Sequence, residues 1–262
     1  MGFGSGQNYN SGSTYTHNTS NDECCVGGKT LSRWNMEAGI GAETFVSGNA
    51  ISGSKSPPAL FPLTTLQDVK MSDAYAVGYR AELGGSYALN PNRKLTLQGT
   101  YSQFNGNEVA WGQQGGGSLR GTMSDYKSYG IEAGIRQYAR PKRFPILKSV
   151  RPYIEGKMGV AYVDDIRLEN INQVGGVPHL STPASLAFYQ ASWVPTASGL
   201  IGIETPVFDR FTMGLETGIR YSGTQGTDTT DTGGGFNARY SGANNGGDRW
   251  SVPLTIRGRY RF

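Results

Sequence analysis

The sequence predicts an all-β chain: a transmembrane antiparallel up-and-down β-barrel of about eight strands, with short turns at one end and long loops at the other. Three observations lead there. Apolar and polar residues alternate with period two through about eight stretches, the signature of strands with two unlike faces. Aromatic residues gather at both ends of the apolar series. The connections alternate between short and long.

Composition removes other classes. Of 262 residues, 39 are Gly and 15 Tyr, and 37% are hydrophobic. With a mean hydropathy of −0.43 and no run of about 18 apolar residues, no transmembrane helix is expected. The net charge of +4 comes without a basic patch at helical spacing, so nucleic acid is not an expected partner. The two cysteines, Cys24 and Cys25, are adjacent. That excludes a disulfide framework, and no ligand cluster surrounds them for a metal.

The alternation is clear element by element. The first stretch, Arg33 to Phe45, sets Trp34, Met36, Ala38, Ile40 and Ala42 against Asn35, Glu37, Gly39, Gly41 and Glu43. The second, Ala74 to Leu89, sets Tyr75, Val77, Tyr79, Ala81, Leu83 and Tyr87 against Arg80, Glu82 and Ser86. The third has Leu95, Leu97 and Tyr101 against Thr96, Gln98 and Thr100. The fourth has Tyr129, Ile131, Ala133 and Ile135 against Glu132, Gly134 and Arg136. The fifth has Ile154, Met158, Val160 and Tyr162 against Tyr153, Glu155 and Lys157. The sixth has Trp193, Ala197, Ile201 and Ile203 against Thr196, Ser198 and Glu204. The seventh has Phe211, Met213, Leu215, Ile219 and Tyr221 against Glu216 and Arg220. The last has Trp250, Val252, Leu254, Ile256, Tyr260 and Phe262 against Arg257, Arg259 and Arg261.

A soluble sandwich also alternates, but its polar face meets water. Here the polar face is rich in Gly, Ser and Thr. Its acids Glu37, Glu82, Glu132, Glu155, Glu204 and Glu216 are matched by Arg80, Arg136, Lys157, Arg220, Arg257 and Arg259. Small residues with balanced charges suit a narrow closed interior, where charges must pair because water is scarce. No position of the apolar series is charged, which suits lipid. Trp34, Tyr87, Phe211, Tyr260 and Phe262 fall at one rim, and Tyr75, Tyr101, Tyr129, Tyr162, Trp193, Tyr221 and Trp250 at the other. Two girdles are what amphipathic rings at headgroup depth produce.

Tight turns are expected at Asn90 to Arg93 and Pro206 to Asp209, with a longer turn at Ala139 to Ser149. Four long connections, about 48–73, 104–126, 165–191 and 223–248, are rich in Gly, Ser, Thr, Asn and Pro. Short turns mark the periplasmic end of an outer-membrane barrel and long loops the extracellular end. With an even strand number both termini are periplasmic. Residues 1–30 read as a polar flexible extension, with entry into the lumen or docking on a partner as the alternative. The opening MGFGSGQNYN has neither a basic nor an apolar segment. The expectation is of a chain whose export signal has been removed.

The ending LTIRGRYRF resembles the C-terminal signal that the barrel assembly machinery reads in bacterial outer-membrane proteins, with Phe262 terminal and Tyr260, Ile256 and Leu254 at alternate positions before it. Gly258 departs from that pattern. The span 31–262 resembles small Gram-negative outer-membrane barrels of the OmpA/OmpX type, the porin-like outer-membrane β-barrel family. The resemblance implies an outer-membrane location, contact with membrane lipids and lipopolysaccharide, and passage through the assembly machinery. It names no activity.

Three functions remain open. The first is a structural and surface-recognition protein, with a Glu/Arg network closing the lumen and four loops displayed. Those loops hold Trp111, Gln113, Gln114, Phe188, Tyr189, Gln190, Phe236 and Tyr240, and loops on a rigid scaffold often carry function. They would also serve for an extracellular ligand or for self-association, as would the N-terminal tail. The second is a narrow pore, for which the lumen glycines would leave room. The third is a lipid- or peptide-modifying enzyme, which needs a general base. Only His17 and His179 are available, the latter near Ser181, Ser185, Asp164 and Asp165. No catalytic residue, cofactor or metal is assigned. Asp228 and Asp231 in DTTDTGGG lack the ordered spacing of a calcium loop.

Overall fold

The computed structural model describes residues 25–26, 29–30, 32–53, 64–139, 150–177, 184–231, 240 and 242–262. Of the first unit, Met1–Leu31, it describes two short paired strands, β1 (Cys25–Val26) and β2 (Lys29–Thr30). The expectation of a flexible extension, His17, and the state of Cys24 lie outside the described residues.

The second unit, Ser32–Phe262, begins with β3 (Trp34–Ser47), β4 (Asn49–Ile51), β5 (Thr64–Leu66), β6 (Val69–Lys70) and one helical turn, α1 (Met71–Ala74). Then come β7 (Gly78–Asn90), β8 (Arg93–Phe104), β9 (Glu108–Gln114), β10 (Gly117–Met123), β11 (Tyr126–Tyr138) and β12 (Arg151–Val163). The last five are β13 (Ile166–Val174), β14 (Ser185–Tyr189), β15 (Ser192–Phe208), β16 (Phe211–Ser222) and β17 (Arg249–Arg261). Eight of these close a barrel in the order β11-β12-β15-β16-β17-β3-β7-β8. Every barrel pairing is antiparallel. The closing pair is the first and last barrel strand, with Asn35 opposite Arg261 and Ile40 opposite Ile256. Closure leaves no edge, the condition for β-structure in lipid.

The alternation fixes which face turns where, because a one-residue slip would exchange the faces. Outward lie Ile40 (65% exposed), Leu97 (59%), Met158 (74%) and Ile201 (61%), an apolar belt of the kind a membrane covers. Leu254 and Ile256 belong to it. Inward lie the charged residues. Gly41 is needed where β3 and β17 approach: a Cβ there would collide with the carbonyl of Leu254. Pro253 lacks an N–H for its neighbour, and the ladder between β16 and β17 skips from Thr217 to Arg220. The Thr217 hydroxyl donates to the Pro253 carbonyl at 2.8 Å.

The four long connections depart from their reading as loops. Their described parts fold over one end of the barrel. β14-β13-β10-β9-β5 form a five-stranded sheet and β4-β6 a second pair. The β9–β10 hairpin turns through Gly115 (φ 55°) and Gly116 (φ 78°), the left-handed conformation that glycine adopts without strain. Trp111, Phe188, Tyr189 and Tyr240 form a core at 0–1% exposure, so they are not displayed as the sequence reading had them. Gln114 is buried as well, while Gln113 and Gln190 stay exposed. Phe236 lies outside the described residues. Composition misled here because Gly and Ser in these segments build tight hairpins, not solvated loops. The tight turn expected at Pro206 to Asp209 moves on: β15 runs through Pro206 to Phe208 with an irregular register, and Asp209–Arg210 make the turn.

The charged lumen and its cap

Seven carboxylates and eight cations are buried in the described structure, nearly all on inward positions of the barrel strands. They stack in three layers. Nearest the short-turn end, Arg136 donates through Nη1 and Nη2 to both oxygens of Glu37 at 3.0 and 2.9 Å, and through Nε to Glu155 at 2.9 Å. Arg259 bonds Glu37 at 2.9 Å and Glu204 at 2.8 Å. The hydroxyls of Tyr138 and Tyr153 donate to Glu204 and Glu216. In the middle layer Arg257 bridges Glu82 at 2.5 Å and Glu216 at 2.7 Å, and the Lys157 ammonium donates to Gln98 at 2.9 Å. Nearest the cap, Glu132 accepts from Arg220 at 2.8 Å and from Arg80 at 3.3 Å. Arg80 also holds Glu82 at 2.8 Å.

The layers work because each carboxylate has more than one partner. A buried ion pair repays its desolvation only when geometry is good and the remaining lone pairs are filled. Here arginine suits the task, since its planar fork reaches two carboxylates at once. All six acids and six bases read from the sequence are brought together. Three more charged residues are buried beside them. Glu43 accepts from Ser251 and Ser102 at 2.5 and 2.9 Å, with Arg80 and Arg220 at 3.5 and 3.6 Å. Lys94 lies 5.3 Å from the Tyr138 ring centre. Arg249 lies over Tyr189 at 5.0 Å and donates to Gln225 at 3.0 Å. Strand parity carries the signal for all three: Glu43 stands in the polar series of the first stretch, though not among the charges matched there, and Lys94 and Arg249 share the inward parity of the third and last stretches.

Above the top layer the lumen is crossed by apolar rings. Phe45 stacks on Phe104 at 4.4 Å, and both meet the edge of Tyr126 at 5.3 and 5.6 Å. Tyr75 joins them at 5.9 Å from Tyr126. This corrects the placement of Tyr75 in the lipid-facing girdle. It is 3% exposed, because α1 and the residues after it fold over the mouth and β7 begins only at Gly78. Tyr79 takes the rim position, 48% exposed and bonded to Gln103 at 2.6 Å. Burial pushes the pKa of the Tyr75 and Tyr189 hydroxyls above the ordinary phenol value.

Polar contacts tie the connections of the cap to one another. The Tyr189 hydroxyl donates to the Ala50 carbonyl at 3.0 Å and accepts from Gly246 at 3.1 Å. The Asn244 amide donates to the Phe188 and Asp228 carbonyls at 2.9 and 2.7 Å. The Gln225 amide donates to the Asp164 and Gln190 carbonyls at 2.7 and 3.0 Å.

The outer rings sit at two rims. Trp34 packs on Tyr87 at 4.9 Å and Tyr260 on Phe262 at 5.5 Å, with Phe211 opposite Tyr260. At the cap end Tyr101 meets Tyr129 at 5.0 Å, Tyr162 meets Trp193 at 5.6 Å and Tyr221 meets Trp250 at 5.2 Å.

Of the residues weighed for the enzyme reading, Ser185, Asp164 and Asp165 are described. His179 and Ser181 lie outside the described residues. The Ser185 hydroxyl accepts from Arg167 at 3.3 Å. The two aspartates weighed for calcium are held by backbone amides: Asp231 accepts from Ala187 at 2.9 Å, and Asp228 from Thr230 at 2.9 Å.

No protein-family model and no curated protein matches the sequence. Solved structures similar to it are small β-barrels. Neisserial surface protein A has 13% identity and a TM-score of 0.45, over 89% of this chain and 100% of that one. Ail, the attachment invasion locus protein of Yersinia pestis, in complex with a heparin analogue, has 12% and 0.38, over 88% and 99%. The outer-membrane protease OmpT from Escherichia coli has 10% and 0.41, over 89% and 98%. The likeness is one of barrel fold and assigns no activity.

Proposed function

We propose that this chain is a Gram-negative outer-membrane protein whose short-turn end faces the periplasm and whose folded cap stands at the cell surface. Its role in this reading is structural and recognition-based, neither catalytic nor conducting. The observation that carries it is the double closure of the lumen. A water-filled channel would leave its wall accessible, yet Glu37, Glu132, Arg136 and Lys157 are 0–2% exposed and an aromatic layer lies above them. An eight-strand barrel is just wide enough for side chains to fill. What is left to vary and to meet partners is the outer surface of the cap, a rigid β-structure presenting the β9–β10 hairpin. The orientation rests on the rule that long connections face outward.

An epitope inserted between Gly115 and Gly116 tests the reading. Antibody should stain intact cells. Staining only after permeabilisation would overturn the orientation and with it the surface role.

A further inference from the structure

Six of the eight buried cations are ion-paired. Among the described residues, Lys94 and Arg249 have no carboxylate within ion-pair distance. Lys94 stands in the layer of Glu37 and Glu204, whose charges act on it. Arg249 stands elsewhere. It opens β17, where the barrel meets the cap, and is 1% exposed. Within Ser32–Phe262, the stretches outside the described residues (54–63, 140–149, 178–183, 232–239 and 241) contain no Asp or Glu. Every carboxylate side chain of this unit is therefore described, and none reaches Arg249.

Three side chains hold its guanidinium. The ring centres of Tyr126 on β11 and Tyr189 on β14 lie 5.6 and 5.0 Å away, and the Gln225 side-chain oxygen accepts from Nη1 at 3.0 Å. Nε and Nη2 are buried with no hydrogen-bond partner. The Tyr189 hydroxyl is close, but it is already bonded to Ala50 and Gly246. The Tyr75 hydroxyl, whose ring also packs on Tyr126, is a second buried group without a partner, and the Arg249 charge acts on it. A charge taken out of water is costly unless it is paired. Ring faces soften that cost but bring no negative charge. The two free nitrogens are also not arbitrary. Nε and Nη2 form one edge of the guanidinium fork, the edge that holds a single anion through two parallel N–H bonds. Orphaned donors on a buried cation call for an ion or a water, and the unbalanced positive charge favours an anion.

We infer that the Nε–Nη2 edge of Arg249 binds one small inorganic anion of the size and charge of chloride. Both nitrogens are closed off from solvent, so the anion enters as the cap opens and is enclosed as it shuts. The site does not depend on which side of the membrane the cap faces.

The test is amide hydrogen exchange of the cap in the full chain, folded in zwitterionic micelles. Sodium chloride is titrated against sodium gluconate, whose anion is far larger, at constant ionic strength. An anion held only under the closed cap makes opening rarer in proportion to its concentration once the site is filled. In the wild-type chain, amides of β14 and of 242–249 should exchange about tenfold more slowly for each tenfold rise in chloride above half-saturation. In R249Q they should exchange equally fast in both salts. Equal rates in chloride and gluconate for the wild type overturn the site whether or not the variant folds, and would leave the guanidinium to water and the two rings. A chloride dependence that survives in folded R249Q overturns the assignment to Arg249.

Discussion

Removing Arg136 should expose how much the lumen depends on its charges. The side chain is fully buried, bonds Glu37 through two nitrogens, and bonds Glu155 through a third. The two carboxylates differ in what they retain afterwards. Glu37 keeps Arg259 at 2.9 Å and Arg257 at 3.3 Å. Glu155 keeps a hydrogen bond from Thr96 at 2.6 Å and has no second ion pair among the described residues. The cost of Arg136→Gln is therefore mainly that of a stranded Glu155, about 3–5 kcal/mol. Replacing both should be milder than replacing Arg136 alone, because Glu155→Gln removes the charge that was left unpaired. The assay is urea unfolding in lipid vesicles, followed by tryptophan fluorescence and heat-shifted gel mobility, run as a double-mutant cycle. A loss below about 1 kcal/mol for Arg136→Gln, or strictly additive losses in the cycle, would refute the claim that this pair is dry.

Three further changes probe the other layers. Glu132→Ala should cost about 3 kcal/mol, the low end for a broken buried pair, since Arg80 keeps Glu82 and Arg220 keeps Glu43. An unchanged unfolding midpoint would place Glu132 in bulk water. Leu215→Arg puts a charge on the outer wall and should cost about 2–4 kcal/mol; tolerance of it in the same assay would argue against lipid at that position. Trp111→Ala should cost the cap about 3–5 kcal/mol and leave the barrel folded. Limited proteolysis should then cut the cap while gel mobility is kept, and simultaneous loss of both would show that the two fold as one unit.

The barrel was legible because its signal is local and repeated. Each strand, such as Tyr129 to Ile135, declares its two faces by parity, and eight repetitions leave little choice of architecture. The ion-paired lumen followed from the same parity, since a face carrying Glu132, Arg136 and Gly134 fits a closed interior better than water. The cap was not legible. Trp111, Phe188 and Tyr240 come from three different connections, and nothing local reveals that they share a core. Tyr75 was misplaced for a related reason: its parity matches Tyr79, but the strand begins at Gly78, and the helical turn before it sends the ring inward.

The central claim is that the lumen is closed twice, by paired charges and by the aromatic layer of Phe45, Phe104 and Tyr126. Conductance across a planar lipid bilayer containing the purified, folded full chain tests it most directly. The account predicts a silent bilayer, with folding verified by heat-shifted mobility. Stable unitary openings from the folded chain would contradict it.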